Sequence, residues 1–256
     1  MLSKLLKYEL PAIGRRLIPL YLAWMVASAL LGFALNSVAS KSDFFSVISL
    51  LIYVMVTTAV VVVAIILVVQ RYNNSILGDE AYFNMALPVT TNQHIANKTI
   101  SALIWVVIST VAAFLSALII CIFGGATSEA YRGFVNDILP LVTGQNVILC
   151  IEFLIMAIVS MVKTVLSVYA AITVGHQASK HVWLAAIGAY IVFMVIEGTI
   201  SWLCNLAELN VSWIYAANGF KDYQFLILVS TAILVALSAG YFLLCKYVID
   251  KRLNLA

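Results

Sequence analysis

The sequence predicts an all-α polytopic membrane protein with six transmembrane helices and both termini in the cytoplasm. Three observations predict it. Hydrophobic residues make up 64% of the 256 residues and charged residues only 10%, where a soluble domain carries about a quarter charged. Six apolar runs each meet the roughly 20 residues that a helix needs to cross the hydrocarbon core. Basic residues then fall unevenly on the two sides those runs define. So much apolar surface exceeds what one core of this size can hide, and lipid must be its solvent.

Taken in order, Met1 to Arg16 places Leu2, Leu5 and Leu6 on one helical face beside Lys4 and Lys7, and Pro11 breaks the pattern. This reads as a short amphipathic helix on the inner membrane surface, after which the chain turns in. The first span is Leu17 to Leu35, which lacks a small-residue cleavage site and is expected to stay as an uncleaved anchor. The second, Phe44 to Val69, contains no charge. The third is Ile100 to Phe123. The fourth, Val147 to Val174, is long and contains Glu152 and Lys163, which leaves tilt, a break or a stretch outside lipid open. Val182 to Leu203 and Phe225 to Cys245 complete the six.

The outer loops are short: Asn36 to Asp43, Gly124 to Asn146, and Asn205 to Gln224. The last, with Trp213 and Tyr215 after Trp202, has aromatics suited to the interface, which leaves open an outer loop or a short re-entrant hairpin that dips into the membrane. No repeat, low-complexity tract or linker divides the chain, so residues 1–256 are expected to be one membrane domain.

Orientation follows from charge. One side holds ten basic residues: Lys4, Lys7, Arg15, Arg16, Arg71, Lys98, Lys180, Lys246, Lys251 and Arg252. The other holds Lys41, Arg132 and Lys221, and Lys163 lies within a span. The positive-inside rule puts the first group in the cytoplasm. An odd number of spans would separate the two basic ends, so the count of six and the charge bias agree.

The longest hydrophilic stretch, 71–99, is cytoplasmic on this reading. Asn73, Asn74 and Gly78 loosen the chain after the second span. Asp79 and Glu80 precede the apolar series Tyr82, Phe83, Met85, Ala86 and Leu87, which Pro88 ends. Thr90 to Gln93 fits a capping box, so the third helix is expected to start there. A short helix with apolar and acidic faces needs something to pack on. Anionic head groups would repel Asp79 and Glu80, so a protein partner is the better reading.

Catalysis finds little support. There is no phosphate-cradling glycine motif and no HExxH spacing, and no aspartate lies inside any of the six runs. His94, His176 and His181 fall in or beside the cytoplasmic loops. Cys121, Cys150, Cys204 and Cys245 have no metal or disulfide spacing. A net charge of +3 is too small to suggest nucleic acid. The intramembrane charges Glu152, Lys163 and Glu197 are functional candidates, because each costs on the order of a few kcal/mol at the bilayer centre unless paired or hydrated. Lys163 lies 11 positions from Glu152, roughly 16 Å along the helix axis, which is too far to pair. Glu197 on the next helix suits it better. A helix clamp and a polar lining for a substrate path both fit.

Gly78-Asp79-Glu80-Ala81-Tyr82-Phe83-Asn84-Met85-Ala86-Leu87-Pro88-Val89, followed by Lys98, resembles the cytoplasmic loop of type-2 ABC exporter permeases, especially those of Gram-positive bacteria. In that family an acidic-Gly-Tyr-Leu stretch leads into Thr-Leu-Pro-Val and then a lysine. Here Ala81 replaces the usual glycine, and Met85-Ala86 the usual Leu/Phe-Thr. Lys4-Leu5-Leu6-Lys7-Tyr8-Glu9-Leu10 is similar to the family's opening. Tyr169-Ala170-Ala171-Ile172 with Gly175-His176-Gln177 is similar to another of its stretches. The resemblance implies a permease in the bacterial plasma membrane that pairs with a second, identical or homologous permease and two copies of a separate ABC ATPase. ATP and Mg would bind that partner, and this chain would hold no cofactor and do no catalysis. Asp79, Glu80, Tyr82, Phe83, Leu87 and Pro88 would form the ATPase-coupling loop. The cargo would be an amphipathic or hydrophobic peptide, drug or lipid, moved outward.

Two further readings stay open: a peptide-binding immunity or sensor subunit that moves nothing, and an ion-coupled carrier using Glu152, Lys163 and Glu197. The orientation is directly testable. An alkaline phosphatase domain fused after Ser42 is expected to be active, and one fused after Ala256 inactive; the reverse pattern would invert the topology.

Overall fold

The computed structural model describes residues 2–38, 43–77, 90–125, 133, 136, 145–178, 181–215 and 220–252. Among these residues there is no strand. Six long helices carry the chain: α1 (Leu2–Val38), α2 (Asp43–Tyr72), α3 (Thr91–Phe123), α4 (Gln145–Gly175), α5 (Val182–Tyr215) and α6 (Phe220–Arg252). A π-helical stretch, Asn73–Leu77, follows α2 directly.

Each helix contains a segment long and apolar enough to cross a membrane: Glu9–Asn36, Phe44–Ile76, Thr91–Phe123, Val147–Gly175, Val182–Cys204 and Gln224–Lys251. Helix is the form these runs must take, because hydrocarbon cannot satisfy backbone N–H and C=O groups. Their outward faces are apolar: Phe44, Met55 and Ile122 are 77%, 72% and 73% exposed. In water such surface would aggregate; in lipid it is solvated.

Local sequence explains the helix ends. α3 starts where the capping box predicts, with the Thr90 N–H donating to Gln93 Oε1 at 3.4 Å and the Gln93 N–H to the Thr90 carbonyl at 2.9 Å. The loosening expected at Asn73 and Asn74 takes the form of the wider π turn.

Two expectations are corrected. Pro11 does not break the chain: α1 runs unbroken from Leu2 to Val38 with Pro11 and Pro19 inside it. Residues 2–16 are therefore the first turns of α1 rather than a separate helix set off by a turn. Proline removes one backbone donor, which a membrane helix tolerates when neighbours and local adjustment satisfy the freed carbonyl. Nor is 205–224 a loop or re-entrant hairpin. α5 continues through Tyr215 and α6 begins at Phe220, which leaves only 216–219 outside the described residues. The fourth span, whose length left a break open, is one continuous helix.

Two compact units divide the chain. In the unit of residues 1–71 and 100–143, α1 turns one face inward. Ile13, Leu17, Tyr21 and Trp24 recur at helical spacing and pack with Val60 and Leu67 of α2 and Trp105 and Ala112 of α3. The Tyr21 hydroxyl lies 2.6 Å from Ser109 Oγ, the Tyr53 hydroxyl 3.2 Å from Ser116 Oγ, and Arg71 Nε donates to Glu9 Oε1 at 2.8 Å.

In the unit of residues 72–99 and 144–256, α4 packs against both α5 and α6. Gly175 lets α4 end against the start of α5. A Cβ there would sit 2.6 Å from Ala186 Cβ and 2.7 Å from the Ala186 backbone nitrogen. Gly175→Ala is therefore expected to destabilise the chain by about 1–3 kcal/mol through overpacking. Gly188→Ala, where nothing lies within 4 Å, is expected to leave stability unchanged or slightly higher; thermal unfolding in a common detergent compares the two.

Candidate functional site

One face of α4 gathers the polar side chains of its unit. Glu152, Met156, Val159 and Lys163 recur at three- and four-residue steps and are half-buried, while Phe153, Leu154, Ile155 and Ile158 are exposed. The half-buried face meets α5 and α6 in three polar tiers.

The middle tier holds the charges. Lys163 Nζ donates to Glu197 Oε2 at 2.6 Å, and the Tyr241 hydroxyl donates to Glu197 Oε1 at 2.8 Å. One carboxylate on α5 thus joins α4 and α6. The Phe193 ring lies 5.1 Å from that of Tyr241 and packs beside the junction. Side-chain exposures of 14% for Lys163 and 22% for Glu197 leave the pair within reach of a ligand while screening it from bulk solvent. α5 extends to Tyr215, so Glu197 sits near the middle of its helix rather than near its end.

A second tier lies toward the start of α4. Glu152 Oε1 meets Gln224 Nε2 of α6 at 3.5 Å, while Glu152 Oε2 is buried with no hydrogen-bond partner. Lys163 and Glu152 do not pair, as their separation along the helix requires.

The third tier is at the opposite end. Tyr72 is wholly buried, and its ring stacks on Tyr169 with centroids 3.9 Å apart and planes 7° from parallel. Its hydroxyl lies 2.8 Å from Thr173 Oγ1, which gives its own proton to the Tyr169 carbonyl at 2.7 Å. The Tyr72 hydroxyl is therefore the donor. Cys245 of α6, also wholly buried, closes the cluster with its thiol against Tyr72 and Thr173. The Tyr169 hydroxyl reaches the Lys98 carbonyl of α3 at 3.4 Å.

The tiers define helix directions. Glu152 meets Gln224 and Thr173 meets Cys245, both steps running the same way, so α4 and α6 are parallel and in register. Gly175 meets Ala186 and Lys163 meets Glu197, so α5 runs antiparallel to α4. Beside the third tier lies an open groove of about 430 Å³, lined by Asn73, His176, His181, Val182, Trp183 and Leu184. His176 and His181 do not share a helical face, yet they line this one groove from the end of α4 and the start of α5. His176 Nδ1 is 3.0 Å from the Ile172 carbonyl. Among the described residues no group of three or more His, Cys, Asp or Glu is arranged to hold a metal ion.

Asp79, Glu80, Tyr82, Phe83, Leu87 and Pro88 lie outside the described residues. The residues that flank them, Tyr72 and Lys98, are both held by Tyr169. Sequence reasoning singled out Glu152, Lys163 and Glu197 but missed Tyr72, Thr173, Tyr241 and Cys245. One signal was available: Tyr169 and Thr173, and likewise Tyr241 and Cys245, are polar pairs four residues apart and so share a helical face. Compared with family models, curated proteins and solved structures, the chain finds no match.

Lys163→Met and Glu197→Gln are each expected to destabilise the chain by about 3 kcal/mol, since each leaves one partner of a buried pair unmatched. The double mutant is expected to lose less than the sum of the two. Denaturant unfolding in detergent measures the cycle, and additive losses would mean that the pair is not coupled.

Proposed function

We propose that the chain is the membrane-spanning permease subunit of an ATP-driven ABC exporter in a bacterial plasma membrane. Two such permeases, identical or homologous, work with two copies of a separate ATPase that binds ATP and Mg. The cargo is an amphipathic or hydrophobic peptide, drug or lipid, moved outward. The reading starts from the resemblance of Gly78 to Val89, with Lys98, to the coupling loops of type-2 exporter permeases. A single observation carries it further: Tyr169 holds both residues that bracket this loop, stacking on Tyr72 before it and bonding the Lys98 carbonyl after it.

That bracket gives coupling a mechanical route. The ATPase meets Asp79, Glu80, Tyr82, Phe83, Leu87 and Pro88, and its movement displaces the loop. Tyr72 is rigidly packed, so the displacement reaches Tyr169 and therefore α4. α4 packs on α5 and α6 and holds them through Lys163, Glu197 and Tyr241. Shifting α4 favours one of two arrangements of these helices, the physical content of alternating access.

The Lys163–Glu197–Tyr241 junction favours a second reading, an ion-coupled carrier, because intramembrane ion pairs line proton and ion paths in such proteins. The two differ in their need for an ATPase.

Affinity purification from native membranes in mild detergent separates them. A soluble ATPase is expected to co-purify with the wild-type chain and to be lost with Glu80→Lys/Leu87→Asp. Tyr169→Leu is expected to keep the ATPase bound but to lower substrate-stimulated ATP hydrolysis about tenfold, a loss of roughly 1.4 kcal/mol of coupling. A chain that purifies alone, without ATPase activity, and transports in response to a pH gradient would replace the exporter reading with the carrier.

A further inference from the structure

Glu152 is the intramembrane charge that the helix junction leaves unanswered. Lys163 is taken by Glu197, and it sits three helical turns away from Glu152, roughly 16 Å along α4. Glu152 Oε1 has only the long 3.5 Å contact to the neutral amide of Gln224. Its other oxygen is buried with no partner. Glu197, by contrast, has both oxygens bonded, one to an ammonium and one to a phenol.

A carboxylate held between apolar helices with an empty lone pair is costly unless a cation or a strong donor fills it. Gln224 begins the apolar segment of α6, so Glu152 lies about two turns into α4, at the level where that segment starts. A molecule whose apolar tail lies in the hydrocarbon would bring its head group to this depth. The exposed side chains of Ile151, Ile155 and Ile158, beside Glu152 on α4, offer apolar surface for such a tail.

We propose that Glu152, with Gln224 beside it, is a binding subsite for the ammonium head of a cationic amphiphile, in the way that Lys163 Nζ serves Glu197. Glu152 is only half-buried, so a turn of its side chain presents Oε2 to the ammonium, which donates to it; the carboxylate balances the charge and the Gln224 amide lies beside it. On the exporter reading this makes the cargo cationic as well as amphipathic. The inference rests on that reading for transport, while binding itself stands apart from it.

The test uses the purified full chain in a non-ionic detergent, titrated with dodecylamine at neutral pH and followed by native mass spectrometry, with dodecanol as the uncharged match. Saturable binding of one dodecylammonium, weakened about tenfold by Glu152→Gln and partly restored in Glu152→Asp, is the expected result. Glu152→Gln keeps an amide in place of the carboxylate and so preserves the packing, which guards against loss by misfolding. Equal binding of dodecanol, or equal affinity in wild type and Glu152→Gln, overturns the subsite. The head group could belong to a soluble amine or to an aminophospholipid. Nanodiscs of phosphatidylglycerol alone and with phosphatidylethanolamine distinguish them: competition by the second lipid assigns the subsite to a lipid ammonium, and its absence assigns it to a soluble amphiphile. Binding without a co-purifying ATPase overturns the exporter reading and keeps the subsite; an ATPase without binding does the opposite.

Discussion

Hydrocarbon offers no hydrogen bonds, so each polar group that enters it must be satisfied by the protein itself. The same local solution recurs. Tyr21, Tyr53 and Tyr72 each place a hydroxyl on a serine or threonine of another helix. Each of those acceptors gives its own proton to a carbonyl three or four residues back on its own helix, as Ser109 does to Trp105, Ser116 to Ala113 and Thr173 to Tyr169. Thr57, Thr110, Thr164 and Thr231 make the back-bond alone. Back-bonding commits the hydroxyl's O–H to the carbonyl and leaves its oxygen free to accept, which is why the tyrosine must be the donor. Helices that gain little by hiding apolar surface from lipid are held together instead by these bonds and by close packing.

Against that rule the charged residues separate into two kinds. Lys163, Glu197 and Tyr241 satisfy one another and bind three helices at a single carboxylate. Glu152 is not satisfied. A closed polar cluster adds stability and sets the positions of the helices, whereas an open one adds cost that only a ligand or a second state offsets. The same helix face thus carries a satisfied junction and an unsatisfied carboxylate, three turns apart. Two buried indole N–H groups, on Trp24 and Trp105, also lack acceptors. Their rings supply core contact in the other unit, and no charge accompanies them, so the cost is far smaller.

α4 is the element on which its unit turns. It meets α5 in antiparallel fashion and α6 in parallel, and it holds Tyr72 and the Lys98 carbonyl through Tyr169. A stacked, fully buried aromatic pair is stiff, because neither ring can tilt without opening a void in close-packed surroundings. Tyr72 is thereby fixed firmly to α4, while the Lys98 carbonyl is held by the longer hydrogen bond alone. Gly175 allows the same helix to end in contact with Ala186, so α4 and α5 remain coupled at the end where the bracket lies.

Much of this was legible in the amino-acid sequence, and the reason is physical. A run of about 20 apolar residues can only be a helix in lipid, so six spans followed from composition and length alone. The start of α3 followed from Thr90 and Gln93, a bond made within four residues. The partnership of Lys163 with Glu197 followed from the scarcity of charge at membrane depth. The tertiary structure decided what depends on neighbours. Pro11 breaks a helix by local rules, yet α1 passes through it; the aromatic stretch 205–215 has loop-like composition, yet it prolongs α5. The parallel register of α4 and α6, the meeting of Tyr72, Tyr169, Thr173 and Cys245, and the unpartnered oxygen of Glu152 depend on which helices pack together, with contacts between residues as much as 173 positions apart. Local sequence sets what each helix is, because backbone bonding is local; which polar groups meet is set by packing, because their partners lie on other helices.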